Sequence, residues 1–131
     1  MFSHASLGIA DFARAVAFYD AVLAPLGLRR VNTLPDHPAA GWGTVRGARP
    51  QFWITRPYDE GLPSPGNGAM VAFDAPDHAA VIAVHAAALA AGGTDEGAPG
   101  LRAHYHPDYF GAYFRDPDGN KLCVVCHEAW P

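Results

Sequence analysis

Basic side chains are scarce in this 131-residue chain, which has nine Lys and Arg against thirteen Asp and Glu and a formal net charge of −4 at pH 7. They form no basic run, so the sequence gives no electrostatic reason to expect binding to nucleic acid or to an anionic membrane surface. Long apolar runs are also missing, because no stretch approaches the roughly 20 residues that a transmembrane helix needs. We therefore expect neither nucleic acid nor a membrane as a partner.

A secretory signal and a disulfide framework are missing as well. The first residues, MFSHASLG, contain neither a basic segment nor a long apolar one, so we predict no signal peptide. The only cysteines, Cys123 and Cys126, are typical of free thiols in a reducing compartment. Their spacing on a predicted strand places the two side chains on opposite faces, which argues against a redox pair or a zinc site. We predict a cytoplasmic protein.

What the chain does contain is an internal repeat with an offset of 66 residues. In each copy an Asp stands where a helix N-cap accepts a backbone N–H, a segment of helical spacing follows, and a Gly stands where the helix would end. Identical residues coincide at three such points: Asp11 with Asp77, Leu23 with Leu89, and Gly27 with Gly93. The repeat predicts two copies of a βαβββ module, and hence an α+β fold.

The predicted strands follow from β-branched and aromatic runs bounded by turn residues. In the first copy they cover residues 2–9, 28–33, 42–45 and 51–55, and in the second copy residues 69–75, 93–97, 109–114 and 121–126. A Pro- and Gly-rich stretch separates the copies and reads as a linker. We predict a first module over residues 1–57, a linker over 58–67 and a second module over 68–131.

Two segments carry a resemblance to a known family: HASLGIADFARAVAFY, residues 4–19, and FRDPDGNKLC, residues 114–123. With the duplicated module, which covers essentially the whole chain, they resemble the vicinal oxygen chelate superfamily of glyoxalase I, bleomycin and fosfomycin resistance proteins and extradiol dioxygenases. The resemblance implies one compact glyoxalase-like domain in which the two modules form a cupped, incomplete mixed β-barrel with helices outside. It also implies a homodimer, and leaves open whether the cup forms within one chain or across the dimer.

Metal-dependent members of that superfamily hold a divalent cation between the first and last strands of the two modules. The matching positions of this chain are His4, Trp53, Met70 and Cys123. Trp is no ligand, Met is a soft donor that hard or borderline cations disfavour, and Cys123 stands where glyoxalase-like members have a Glu. We therefore expect no metal and no other cofactor, and no true glyoxalase I reaction. A divalent metal held by an altered ligand set around His4 and Cys123 remains an alternative.

Three residues are candidates for catalysis, namely His4, Cys123 and His106, and the sequence does not decide among them. Cys123 fits best as a small apolar pocket wall, and the alternatives are a soft metal ligand or a nucleophile activated by His4. For His4 we expect a pocket histidine that hydrogen-bonds a neighbour or a ligand, with a metal ligand as the alternative.

The segment LRAHYHPDYF, residues 101–110, is the densest in polar side chains. Arg102 offers a planar pair of donors for a carboxylate or phosphate, and His106 and Tyr109 offer hydrogen bonds or acid–base chemistry. The segment reads as a substrate clamp, as a metal site of its two histidines and Asp108, or as a solvated rim loop. With the aromatic residues expected to face the cup, the predicted substrate-binding residues are Trp42, Trp53, Met70, Arg102, His106, Tyr109 and Tyr113.

Three functions are compatible with this sequence. The preferred one is a protein of the glyoxalase/bleomycin-resistance type that binds or processes a small aromatic or anionic molecule in a largely metal-free pocket, since aromatic pockets with a few polar groups suit such ligands. The second is a metal-dependent lyase, isomerase or dioxygenase with an altered ligand set. The third is a dimeric scaffold without turnover. The sequence leaves open whether the protein is an enzyme.

Overall fold

The computed structural model of the chain describes residues 1–34 and 36–130. Within them, strands and helices follow one another twice in the order βαβββ. The first set is β1 His4–Gly8, α1 Phe12–Leu23, β2 Arg29–Thr33, β3 Ala39–Gly43 and β4 Gln51–Thr55, with a short 3₁₀ helix, Ala24–Leu26, after α1. The second set is β5 Val71–Asp74, α2 His78–Ala90, β6 Thr94–Leu101, β7 Phe110–Arg115 and β8 Lys121–Cys126.

The strands form two four-stranded sheets with the same topology, ordered β1-β4-β3-β2 and β5-β8-β7-β6. In each sheet the first strand pairs with the last in parallel and the other pairs are antiparallel. The predicted α+β fold with two tandem βαβββ modules is confirmed, and the described strands do not close into a barrel. No helix of the described residues is both long and apolar enough to cross a membrane.

Two strands differ most from their predicted bounds. Strand β3 was expected to begin at Trp42, but it begins at Ala39 because its small residues pair with β4, and Gly41 lies opposite Trp53. Strand β6 was expected to end near Gly97, but it continues to Leu101. The register of its pairing with β7 shifts twice, and this irregular pairing accommodates the glycine and proline residues within the strand.

Both helices begin as the repeat predicts. Asp11 accepts a hydrogen bond from the backbone N–H of Arg14 at 3.1 Å, and Asp77 accepts one from Ala80 at 2.7 Å. At the end of α2 the left-handed residue is Gly92, with φ of 100°, one position before the glycine that the repeat aligns. Each N-cap satisfies a backbone donor that the helix leaves without a partner.

One hydrophobic core serves both modules. Helix-facing side chains of the two sheets and the inner faces of α1 and α2 form a single buried cluster. The ring centroids of Phe18 in α1 and Phe114 in β7 are 6.4 Å apart, and those of Phe52 in β4 and Phe73 in β5 are 5.1 Å apart. Neither sheet therefore buries its helix-facing side independently of the other.

The turn between β7 and β8 joins the two modules by hydrogen bonds. The buried Asp116 carboxylate accepts from the Tyr19 hydroxyl at 2.5 Å, from the Asn120 side chain at 2.8 Å and from the backbone N–H groups of Asp118 and Asn120, both at 2.9 Å. Burial and the neighbouring Asp116 carboxylate hold the pKa of Tyr19 well above its ordinary value. The D-P-D-G motif is thus more than a tight turn, because its first carboxylate anchors α1.

The same turn also reaches the end of β1. The Asn120 side chain donates to the carbonyl of Gly8 at 2.9 Å, and the backbone N–H of Ala10 donates to Asp118 at 3.0 Å. These contacts fix the first module against the last hairpin of the second.

Candidate functional site

Each sheet has a face that points away from the helices, called here its open face. A cleft of about 710 Å³ lies between the open face of the second sheet and the segment Ser64–Met70. We name it the tyrosine cleft. The side chains that line it from the sheet and its neighbouring loop are Tyr105, Tyr109, Tyr113, Arg115 and Lys121.

Strand alternation places the tyrosines in the cleft. Phe110, Ala112 and Phe114 belong to the helix-facing core or pack against it, so Tyr113 and Tyr109 point to the other side. A Cβ atom at Gly111 would approach the Tyr109 ring to 2.9 Å. The glycine therefore lets the Tyr109 ring lie close against the strand.

The two phenols form a hydrogen-bonded group with a thiol beneath them. The hydroxyl oxygens of Tyr109 and Tyr113 are 2.8 Å apart, and the Tyr109 oxygen lies 3.5 Å from Sγ of Cys123. Burial is the largest cause that raises the pKa of both phenols, and burial also raises the pKa of the Cys123 thiol. All three groups therefore keep their protons at neutral pH.

Cys123 itself does not line the cleft. Its residue is 0% exposed, and Tyr113 is its cross-strand partner. A buried thiol of raised pKa is a poor nucleophile, because the thiolate is the reactive form. The expectation that Cys123 forms part of the pocket wall is modified, since it lies behind the tyrosines rather than at the surface of the cleft.

Two cations lie side by side on the floor of the cleft. Arg115 and Lys121 are directly opposite each other on neighbouring strands, and both line the cleft. Arg115 is engaged by Glu96, with 2.5 Å between Nε and the carboxylate, and by the carbonyl of Gly119 at 2.8 Å. Lys121, the only lysine of the chain, forms no ion pair among the described residues, and its Nζ lies 5.6 Å from the centroid of the Tyr113 ring.

Arg102 lies beside the cleft but its guanidinium is used within the fold. It donates to the carbonyls of Gly100 and Ala98, both at 2.8 Å, and its central carbon lies 5.5 Å from the centroid of the Tyr113 ring. Arg102 therefore holds the irregular end of β6 and supports Tyr113. Both terminal nitrogens of Arg102 thus already donate within the protein, and its role as an anion clamp stays a prediction.

His106 lies on the rim. Its Nε2 is 2.8 Å from Nδ1 of His127, and its Nδ1 accepts from the backbone N–H of Asp108 at 3.2 Å. The ring centroid is 5.6 Å from that of Tyr109. The structure thus brings His106 beside the tyrosines without placing it in the wall of the cleft.

The remaining predicted residues lie in or near a second cavity of about 580 Å³, which we call the edge groove. It is bordered by His4 of β1, by Gln51 of β4 and by residues of β5, and Met70 lies at both cavities. His4 is exposed, and its Nδ1 is 2.8 Å from the hydroxyl of Ser3. Trp53 lies on the open face of the first sheet and donates its indole N–H to Gln51 at 3.0 Å.

The placement of Trp42 on the inner surface of a cup was wrong. Trp42 is 1% exposed, packs in the core against Tyr19 and Phe52, and donates its indole N–H to Asp20 at 3.0 Å. The cause is the register of β3, because Gly41 shares the open face with Trp53 and its neighbour must point toward the helices. Trp42 also borders the edge groove.

The four positions where the resemblance implies metal ligands do not fit a metal ion. His4 is exposed at the edge of the first sheet, whereas Cys123 is buried behind the tyrosines of the second sheet. Trp53 offers no lone pair, and the Cys123 thiol is covered and keeps its proton. Across the described residues, no three His, Cys, Asp or Glu side chains lie together in a way that suits a metal ion.

Four features of the cleft were not among the predicted binding residues: Lys121, Arg115, Tyr105 and residues 64–69. Lys121 was within reach of sequence reasoning, because it shares a strand face with Cys123. The Ser64–Met70 segment reads only as a linker in sequence, and nothing in its composition shows that it forms a wall. A Cβ atom at Gly119 would lie 3.8 Å from Cγ of Pro65, and this closeness of the segment to the β7–β8 turn arises only when the chain folds.

Comparison with known proteins agrees with this architecture. The family model of the Glyoxalase/Bleomycin resistance protein/Dioxygenase superfamily matches residues 1–124. A solved glyoxalase/bleomycin resistance protein from Albidiferax ferrireducens is 35% identical with a TM-score of 0.85, covering 96% of this chain and 98% of that chain. Among curated proteins, none matches the sequence.

More distant structures share the fold. A glyoxalase/bleomycin resistance protein/dioxygenase family enzyme from Burkholderia phytofirmans is 21% identical with a TM-score of 0.73, over 96% of this chain and 98% of that chain. A mutant of glyoxalase I from Zea mays is 24% identical with a TM-score of 0.68, over 95% of this chain and 46% of the maize chain. At these identities the likeness concerns the fold alone.

Proposed function

Because the chain belongs to the Glyoxalase/Bleomycin resistance protein/Dioxygenase superfamily, we propose that it binds a small aromatic or anionic organic molecule in the tyrosine cleft. The observation that carries the proposal is the composition of the cleft, where three tyrosine rings adjoin a lysine that forms no ion pair with any of residues 1–34 and 36–130. Aromatic walls with a few polar groups are characteristic of small-molecule sites.

The proposal is one of binding, without a covalent step. Catalysis by a nucleophile needs a group that gives up its proton, and the thiol and the two central phenols of this site all have raised pKa values. The donor set of the implied metal positions also gives no support to a metal-dependent lyase, isomerase or dioxygenase. The free ammonium and the phenol groups instead suit recognition of a ligand.

We further propose a homodimer. The outer edges of β1 and β5 pair with no other strand of the described residues, and the exposed side chains of Phe2 and Met70, next to these strands, border the edge groove. Unpaired edges of this kind are commonly covered in native proteins. Sedimentation equilibrium should give twice the mass of the chain, and a monomer at micromolar concentration would contradict this part of the proposal. Two free, buried cysteines suit the reducing cytoplasm that we expect.

The binding proposal is tested with a panel of small aromatic acids, phenols and neutral aromatics, screened by melting temperature and then by calorimetry. A ligand that binds the folded state must raise the melting temperature. Tyr113→Ala removes one wall of the cleft and should weaken binding at least about tenfold. The matched control is Tyr58→Ala, since Tyr58 is 99% exposed and lies outside the cleft.

Two results would contradict the proposal. One is a panel in which no compound raises the melting temperature, which would favour the scaffold without turnover. The other is a ligand whose affinity is equal for the wild type, Tyr113→Ala and Tyr58→Ala, because such a ligand binds elsewhere.

A further inference from the structure

We infer that the tyrosine cleft selects a carboxylate-type oxygen anion, bound by the Tyr113 hydroxyl and the Lys121 ammonium, with Tyr109 and Cys123 as positioning residues behind them. The inference rests on the proposed function and names the class of its ligand. It is carried by two independent features of the open face, the arrangement of cations and the chain of hydroxyl and thiol groups.

The first feature is a pair of neighbouring positive side chains, of which only one forms an ion pair among the described residues. Arg115 and Lys121 are direct cross-strand neighbours, a placement that destabilises a sheet unless an anion lies nearby. Glu96 pairs with Arg115, and among the described residues no ion pair involves Lys121. Although the whole chain carries a net charge of −4, the floor of this cleft is therefore locally positive. An oxygen anion in the cleft would supply the missing charge.

The second feature is a hydroxyl proton of Tyr109 or Tyr113 that the hydrogen bond between the two tyrosines does not use. Two hydroxyls 2.8 Å apart share one hydrogen bond, so one of their two protons is free for a third partner. When Tyr109 donates to Tyr113, the proton of Tyr113 is the free one, and it is available to a ligand in the cleft that this residue lines. The Cys123 thiol, 3.5 Å from the Tyr109 oxygen, can then donate to Tyr109 and support this orientation.

A carboxylate suits both features better than a neutral ligand. It accepts a hydrogen bond from Tyr113 and an ion pair from Lys121, and charge-assisted hydrogen bonds are about twice as strong as neutral ones. Burial keeps the phenol protonated, because it raises the pKa of Tyr113. A primary amine or other cation would meet Lys121 and Arg115 with the same sign of charge and should be rejected.

The test compares matched pairs of probes by calorimetry, benzoate with benzamide and phenylacetate with phenylacetamide. The full chain should bind each carboxylate at least about tenfold more tightly than its amide. Tyr113→Phe and Lys121→Gln should each reduce this ratio several-fold by weakening the carboxylate alone. Arg29→Gln, an exposed cation on β2 outside both cavities, is the control and should keep the ratio.

The positioning role of Cys123 is tested by the same ratio. Cys123→Ala removes the donor to Tyr109 and should reduce the preference for carboxylate about two- to threefold, as expected of a weak thiol donor. Cys123→Ser restores a hydroxyl donor and should recover it. Lower melting temperatures with an unchanged ratio in both variants would assign Cys123 a merely structural role.

The outcomes separate the two levels of the argument. If the amides bind as tightly as the carboxylates, or if Lys121→Gln leaves the ratio unchanged, the anion inference is wrong while the proposed binding function stands. If no compound of the wider panel binds, both are wrong. Should Tyr113→Phe fail to fold, Lys121→Gln decides, because Lys121 lies at the cleft and forms no ion pair among the described residues.

Discussion

In the first sheet the indole of Trp53 lies across Gly41, and in the second sheet the ring of Tyr109 lies across Gly111. The two sheets share one topology, so both open faces offer an aromatic ring resting on a glycine. Beyond that they differ. The polar atom of Trp53 is bound by Gln51 of the same strand, whereas the second face adds two phenols and the free ammonium of Lys121.

This difference shows how a duplicated fold separates structure from function. The helix-facing sides of both sheets contribute to one core and tolerate little change, because interiors are closely packed. On the open face of the second sheet three tyrosines lie beside Lys121, the set of side chains that we propose to bind a small organic molecule. Substitutions in each region test how far the two faces depend on each other and on the core between them.

The largest effect is expected where the two modules are joined. Asp116→Ala removes the acceptor of the Tyr19 hydroxyl and of two backbone N–H groups at the β7–β8 turn. Unsatisfied buried donors cost about 1–3 kcal/mol each, so we expect the free energy of unfolding to fall by about 3–5 kcal/mol. Urea denaturation measures it.

The control for this variant is Asp74→Ala, an exposed carboxylate on β5 without a side-chain hydrogen bond in the described structure. It should change the free energy of unfolding by less than about 0.5 kcal/mol. Equal losses in the two variants would mean that the turn does not join the modules energetically.

A smaller effect is expected on the open face of the first sheet. A Cβ atom at Gly41 would lie 2.5 Å from the Trp53 ring, so Gly41→Ala must displace the indole. We expect a loss of about 1–3 kcal/mol and a shifted Trp emission, with unchanged affinity for ligands of the tyrosine cleft. Gly43→Ala is the matched control on the same strand, because its nearest neighbour, Cγ of Gln51, is 3.6 Å away. Indistinguishable stabilities of these variants would contradict the close contact.

The smallest effect concerns the polar contact between helix and sheet in each module. In the first module Trp42 donates to Asp20, whereas in the second His85 lies 2.9 Å from Asp95. The hydrogen bond with His85, followed by that from Gly97, lowers the pKa of Asp95. A lowered carboxyl pKa stabilises the fold above the unfolded pKa of about 3.9, and this stabilisation is lost as the pH falls through the folded value.

Asp95→Asn should therefore melt slightly below the wild type at pH 6–7, and the difference should shrink as the pH falls below about 4. Melting temperatures measured from pH 7 to pH 3 test it, with the wild type as reference at each pH. A difference that grows toward low pH would show that the sign of this contribution is opposite to our account.

Local signals in the sequence were sufficient for most of the fold. The Asp N-caps and the alternation of β7 and β8 depend on residues that are close together in the sequence, and both features are present in the structure. The structure also contains the two modules that the sequence offset predicted. Strand β3 was misplaced because its residues, AAGWG, have weak strand propensity and its bounds depend on pairing with β4. Trp42 was misplaced for the same reason.

The site was less accessible to sequence reasoning. Tyr109 and Tyr113 were found from alternation, but the covering of the cleft by the Ser64–Met70 segment is a contact between distant parts of the chain. The engagement of Arg102 by the carbonyls of β6 depends on two register shifts that no composition shows. Only the folded structure shows that Arg102 and Arg115 have hydrogen-bond partners within the protein, whereas Lys121 forms no ion pair among the described residues.

The central claim, that the tyrosine cleft binds small aromatic or anionic molecules, is tested most directly at Lys121. Because this is the only lysine, reductive methylation with ¹³C-formaldehyde labels one side chain and the N-terminal amine, and methylation keeps the charge. Titration with benzoate and phenylacetate should shift the Lys121 resonance saturably and leave that of the exposed N-terminus in place. If neither resonance moves with these acids or with the neutral aromatics of the panel, or if both move together in proportion to added salt, the cleft is not the binding site.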